Sequence, residues 1–137
     1  MQLHIKADGV PIYRQISNQI RYRILSKQLE VGVEIPSIRI LAETLRVNPN
    51  TVARAFRELE NDGFVEKHHA RATYVSKLES SQTNVQRMKQ LQPHLDAILL
   101  HSKQLGFSLA QLKSQITERE AFLSNSTPQV EESRIAD

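Results

Sequence analysis

Between Pro36 and Asp62 two helical apolar periodicities stand only a few residues apart, and this spacing constrains the fold more than any other feature. Ile38, Leu41, Ala42 and Leu45 fall at i, i+3, i+4 and i+7, a single apolar face on a short helix. Ser37 precedes them as an N-cap. The chain then passes through Arg46-Val47-Asn48 to Pro49, where Asn and Pro read as cap and first helical residue of a second helix. So short a turn holds two helices at the steep angle of a helix-turn-helix, with Val47 expected where they meet.

The second helix is expected from Pro49 to about Asp62. Val52, Ala55, Phe56 and Leu59 gather on one side, while Asn50, Arg54, Arg57 and Asn61 lie within about 60° of one another on the other. Those four include no acid. Asn pairs bidentately with adenine and Arg with guanine, so the face has the chemistry of base-edge reading. The free N–H groups of the helix N-terminus add a phosphate site. An ordinary surface helix would also show a polar face, and the preceding helix and turn favour the reader. Asn48 fits capping and DNA contact equally well.

Asn61-Asp62-Gly63 stops this helix. Phe64–Lys67 and Thr73–Val75 read as two short strands, the hairpin "wing" of a winged helix. Its tip carries Lys67, His68, His69 and Arg71, groups suited to phosphates or a minor groove. Adjacent histidines on a strand point to opposite sides, which disfavours a metal site.

Ahead of the reader, Leu3 and Ile5 alternate with polar residues, so residues 2–6 are expected as a short edge strand. Pro11 opens a helix of about 18 residues in which Ile12, Ile16, Ile20 and Ile24 recur every four, beside Tyr13 and Leu29. Arg14, Arg21, Arg23 and Lys27 form its other face, read as a solvated basic surface with room for one or two phosphate contacts.

Beyond the wing, residues 77–85 have the polar, Ser-rich composition of a linker. Met88, Leu91, Leu95, Ile98 and Leu105 follow a 3-4-3 spacing, broken once at Ser102, that resembles a coiled-coil seam. Pro93 inside it predicts a kink or a restart. After Gly106, Ser108 with Gln111 fits a capping box, and Phe107 with Leu112 a hydrophobic staple. Leu109, Leu112 and Ile116 give the next helix an apolar face, continued by Phe122 or Leu123. Two such helices cannot bury these faces alone, so residues 86–123 are expected to form a homodimer. Met88, Leu91, Leu95, Ile98, Leu105, Leu112 and Ile116 are its contact residues. Residues 124–137 read as a frayed tail.

Charge and composition agree with this layout. Residues 1–76 carry 11 Lys/Arg against 8 Asp/Glu, and residues 77–137 carry 7 of each, so the net +3 lies in the half with the reader. With no cysteine the chain holds neither a disulfide scaffold nor a thiolate zinc site. No apolar run is long enough for a membrane span and Met1–Lys6 lacks the pattern of a secretory signal, which makes the cytoplasm the expected location.

Pro11-Ile-Tyr-Arg-Gln-Ile16, Val31-Gly32, Pro36-Ser-Ile-Arg39, Leu41-Ala42, Asn50-Thr-Val52, Leu59-Glu60 with Gly63, and Thr73-Tyr-Val75 follow the order of the GntR-type winged-helix regulators, which the chain resembles over residues 10–75. Asn48-Pro-Asn-Thr51 and the short C-terminal part, with Leu105-Gly106-Phe107-Ser108 between two helices, are similar to the YtrA-type branch. The resemblance implies a mainly α protein: a winged helix-turn-helix domain over 1–76 and a two-helix dimerisation hairpin. It implies a homodimeric repressor of a pseudo-palindromic operator, often near ABC transporter genes. Family DNA contacts carry over to Arg39, the start of the recognition helix and the wing tip. The set is thus Arg39, Asn48, Asn50, Thr51, Arg54, Arg57, His69 and Arg71. Two departures stand out. Arg46 replaces a frequent glycine before Val47, and Ala70-Arg-Ala-Thr73 replaces Gly-x-Gly-Thr in the wing.

A winged helix used for protein contacts without DNA is the alternative, and the basic reading face argues against it. An enzyme is poorly supported, with no glycine-rich phosphate loop, no paired acid motif, and His94 and His101 without nearby partners. No cofactor or metal is expected. A small-molecule effector, if the protein has one, would have to sit at the dimer interface or the hinge between the halves.

Overall fold

The structure, a computed structural model, describes residues 1–69, 72–78 and 82–124. Its elements are α1 (Ile12–Leu25), β1 (Glu34–Ile35), α2 (Ile38–Leu45), α3 (Pro49–Asn61), β2 (Val65–His68), β3 (Ala72–Val75), α4 (Asn84–Gln104) and α5 (Leu109–Ser124). They fall into two compact units: Met1–Leu78 together with the chain from Ala121, and Glu79–Glu120. The fold class is the expected one, a winged helix-turn-helix followed by a helical hairpin.

The apolar faces read from the sequence build the first unit's core. Ile16, Ile20 and Ile24 of α1 meet Leu41 and Ala42 of α2, Val52, Ala55, Phe56 and Leu59 of α3, and Ile35, Val65 and Val75 of the sheet. The sheet is antiparallel in the order β1-β3-β2, pairing Glu34 with Tyr74 and Val65 with Val75. β1 was not foreseen. Two residues are too few to show an alternation in the sequence. The wing strands sit one residue from their expected starts.

Helix ends explain the remaining boundaries. α1 covers 14 residues rather than about 18 because its last turn closes through a left-handed Lys27 (φ 65°). Lys27 N–H donates to Ile24 C=O at 3.1 Å and Gln28 N–H to Arg23 C=O at 2.8 Å, the paired bonds of a Schellman motif. Leu29 lies past the helix and still packs on the core. The same motif ends α2, with Val47 N–H on Ala42 C=O at 3.1 Å and Arg46 N–H on Glu43 C=O at 3.3 Å. Arg46 takes the left-handed position (φ 58°), so the conformation that favours glycine is present here without one. Ser37 caps α2 and Asn48 caps α3, as their positions predict.

The expected edge strand at residues 2–6 does not form. The segment lies along α1, and side chains supply the bonds a neighbouring strand would give. Gln19 accepts from His4 N–H at 2.9 Å and returns a bond to His4 C=O at 2.5 Å. Gln15 does the same for Lys6, at 2.7 and 2.6 Å, and Arg23 donates to Gln2 C=O. Residues 2, 4 and 6 of the arm thus meet residues 23, 19 and 15 of the helix. The match is geometric: two residues of extended chain advance about 6.6 Å, four of a helix about 6.0 Å. Leu3 alternates into the core for this reason, not because it belongs to a sheet.

In the second unit α4 runs continuously through Pro93, so the expected restart there is absent. α4 starts at Asn84, inside the stretch with linker composition, because Thr83 and Gln86 form a capping box. Residues 79–81 of that stretch lie outside the described residues, as does the tail from 125. Ser108 and Gln111 cap α5 reciprocally, at 3.1 and 2.8 Å. Met88, Leu91, Leu95, Ile98, Leu105 and Ile116 are all exposed, and Leu112 is half-buried. The last turn of α5 belongs to the first unit, where Phe122 is buried beside the His4 ring and under the Lys6 ammonium.

Candidate nucleic-acid interface

The N-terminal half of α3 carries the candidate site, on the side of the helix opposite the core. Asn48 Oδ1 accepts from Asn50 N–H at 2.8 Å, which satisfies one free N–H at the helix start and engages one side of the Asn48 amide. Asn50, Arg54 and Arg57 are exposed and Thr51 is half-exposed. Val52, Ala55, Phe56 and Leu59 anchor the opposite face in the core. Arg39 on α2 is exposed, its carboxylate neighbour Glu43 being 4.0 Å away and itself exposed. A pair so open to water is weak, and Arg39 can turn to another anion.

The wing presents His69 at its turn in the left-handed region (φ 56°), exposed to solvent. His68 folds back along its own strand, 3.4 Å from Glu66, with its ring 4.9 Å from that of Tyr74. The two histidines are therefore placed differently, one on the hairpin and one at its tip. Arg71 lies outside the described residues. Among the described residues no group of His, Cys, Asp or Glu is arranged to hold a metal ion.

The basic face of α1 is not the solvated surface the sequence suggested. Arg14 and Arg21 cross to α3: Arg21 reaches Glu58 at 3.1 Å and Asp62 at 3.2 Å, and Arg14 reaches Glu58 at 3.5 Å. Arg23 is buried, and desolvation holds its pKa below the usual arginine value. Glu58 of α3 and Asp62 just beyond it are thereby neutralised from the side of α1, while Glu60 stays exposed.

Tyr13 is the site residue that sequence reasoning missed. The Arg54 guanidinium lies over its ring, 3.8 Å from the centroid. Its hydroxyl accepts from Arg14 at 3.3 Å, a bond that holds the Tyr13 pKa below its ordinary value and raises that of Arg14. No residue spacing marks this role, because the partner of Tyr13 lies on a different helix.

An exposed helix face bearing Asn, Thr and Arg, followed by the β2–β3 hairpin as a wing, defines a winged helix-turn-helix DNA-binding protein. The family described as bacterial regulatory proteins of the gntR family matches residues 12–75. The chain is similar to the transcriptional repressor YtrA of Bacillus subtilis, 32% identical over 110 residues that cover 80% of this chain and 85% of that one. Among solved structures it resembles YtrA of Sulfolobus acidocaldarius, a GntR-family transcription factor (TM-score 0.55, 30% identity, 73% of this chain and 95% of that chain). A transcriptional antiterminator from Listeria monocytogenes EGD-e shares the fold at TM-score 0.69 and 24% identity, over 90% of this chain and 92% of that one. The chain belongs to the GntR family and is a transcriptional regulator of the helix-turn-helix type, not an enzyme. Among the described residues no helix is long and apolar enough to cross a membrane.

Proposed function

We propose that the protein is a cytoplasmic homodimeric repressor that places two copies of α3 in successive major grooves of a pseudo-palindromic operator. The observation that carries this reading is the outward face of α3, where Asn50, Thr51, Arg54 and Arg57 stand clear of the core while Glu58 and Asp62 are tied to α1. Asn50, Thr51 and Arg54 read base edges, and Arg57 extends the contact along the groove. Arg39 takes a phosphate or a base edge, Asn48 caps and adjoins the backbone, and His69 with Arg71 meets the flanking phosphates or minor groove.

Repression is supported by the similarity to YtrA of Bacillus subtilis, a transcriptional repressor. A transporter operon as the target rests on the family resemblance. Dimerisation is supported by the apolar stripe of α4 and α5, whose Met88 is 54% and Leu105 60% exposed in the single chain. An exposed stripe of this kind marks an interaction surface. Any effector would act through the dimer interface or the hinge at 77–85, changing the distance between the two α3 helices.

Selection of bound sequences from a random duplex pool tests the reading. It expects a pair of inverted half-sites about 10 base pairs apart or a multiple of that, and an affinity that falls steeply between 50 and 200 mM salt. Recovery of no preferred sequence, with affinity insensitive to salt, would overturn it.

A further inference from the structure

We propose that Tyr13 is the positioning residue that holds Arg54 ready to read its base. The inference rests on the DNA-reading role of α3. Tyr13 stands at the start of α1, half-buried against the core, and Arg54 stands on the exposed side of α3. At 3.8 Å from the ring centroid the guanidinium carbon is at stacking distance. A stacked guanidinium keeps its five N–H donors in the plane, directed away from the ring face, where they remain available for a base edge.

Two further contacts make the arrangement specific. Arg14 donates to the Tyr13 hydroxyl at 3.3 Å while itself facing Glu58 at 3.5 Å, so the ring is held at both its edge and its face. Glu58 is four residues after Arg54 on the same helix, the acid best placed to capture it. Arg21, at 3.1 Å, and Arg14 occupy that acid instead. No ion pair to Arg54 occurs among the described residues, and its fixed neighbour is the Tyr13 ring. The stack thus limits the rotamers of a long, exposed side chain before DNA arrives, which reduces the ordering that binding requires.

The test compares base preferences of the full-length wild type with those of Arg54→Ala, Tyr13→Phe, Tyr13→Leu and Tyr13→Met, using a pool of random duplexes. Arg54→Ala marks the base pair that Arg54 reads. Tyr13→Phe retains the ring face and is expected to retain preference at that pair. Tyr13→Leu and Tyr13→Met fill the space without a ring, and discrimination at that pair is expected to fall about two- to fivefold, the size of an exposed cation–π contact. Other positions and the salt dependence should be unchanged. A wild-type preference in both ringless variants, an equal loss at every position, or failure of both to fold by circular dichroism would overturn the proposal. So would an Arg54→Ala profile with no altered position. A wild type that selects no sequence would instead refute the DNA-reading role itself.

Discussion

Arg21 of α1 lies 3.1 Å from Glu58 of α3, and the same guanidinium reaches Asp62 at 3.2 Å. This one side chain fastens the support helix to the reading helix and also hides negative charge from a polyanionic partner. Arg21→Ala should lower the unfolding free energy by about 1 kcal/mol, as expected for a partly exposed pair. It should also weaken duplex binding, by up to roughly tenfold, because Asp62 loses its ion pair and Glu58 keeps only the longer one to Arg14. In the Arg21→Ala background, Glu58→Gln with Asp62→Asn should recover most of the affinity but not the stability. Urea titration and gel shift separate the two effects.

Arg46 occupies the left-handed position at the centre of the helix-turn-helix turn, at φ 58°. An L side chain is strained there, whereas glycine adopts this conformation freely and has only its greater unfolded entropy to offset the gain. Arg46→Gly should therefore stabilise the protein by about 1 kcal/mol, visible as a rise of roughly 4–8 °C in Tm for a domain of this size. An unchanged or lower Tm would show that the Arg46 side chain makes a compensating contribution.

Gln19 is fully buried, and both ends of its amide are bonded to the His4 backbone. Gln19→Leu keeps the volume but removes the two bonds that the amide makes to His4 N–H and C=O. The cost should be about 2–3 kcal/mol, with faster amide exchange confined to residues 2–6 and the adjoining turn. Uniform loss of protection across the winged helix would mean that the arm does not open independently.

The parts of this fold that were legible in the sequence are those in which periodicity and capping chemistry act locally. Ile38–Leu45, the Asn48-Pro49 start and the Val52/Ala55/Phe56/Leu59 face all follow from residue spacing alone. What escaped depends on contacts between segments far apart in the chain. Leu3 and Ile5 alternate as a strand would, yet their partner is a row of glutamines four residues apart on α1. The arginines of α1 resemble a solvated face until the acids of α3 are placed opposite them. Tyr13 counts as an ordinary apolar residue of α1 until Arg54 is found above it.

Arg54 and Arg57 lie on one face of α3 but in different surroundings, the first stacked on Tyr13 and the second exposed. Arg54→Ala should cost roughly 1–3 kcal/mol on a selected operator and little on random duplex, the pattern of a lost base contact. Should Arg57 meet a phosphate, Arg57→Ala will weaken both duplexes alike and reduce the salt slope by about one. Equal losses on both duplexes for Arg54→Ala would move it to the phosphate class.

Leu95 and Ile98 sit three apart on α4 and are 41% and 44% exposed in the single chain. In a monomer, glutamates at such positions would change folding stability little, because the side chains already face water. In a homodimer joined along this stripe they would place like charges in an apolar contact. Leu95→Glu with Ile98→Glu should therefore yield a folded monomer by sedimentation. Affinity for a two-half-site operator should fall about a hundredfold or more, since the second reading helix is no longer tethered to the first. Binding to an isolated half-site should be unaffected, and that contrast distinguishes loss of pairing from damage to the reader. A double variant that sediments as the wild type does would remove the stripe from the dimer interface.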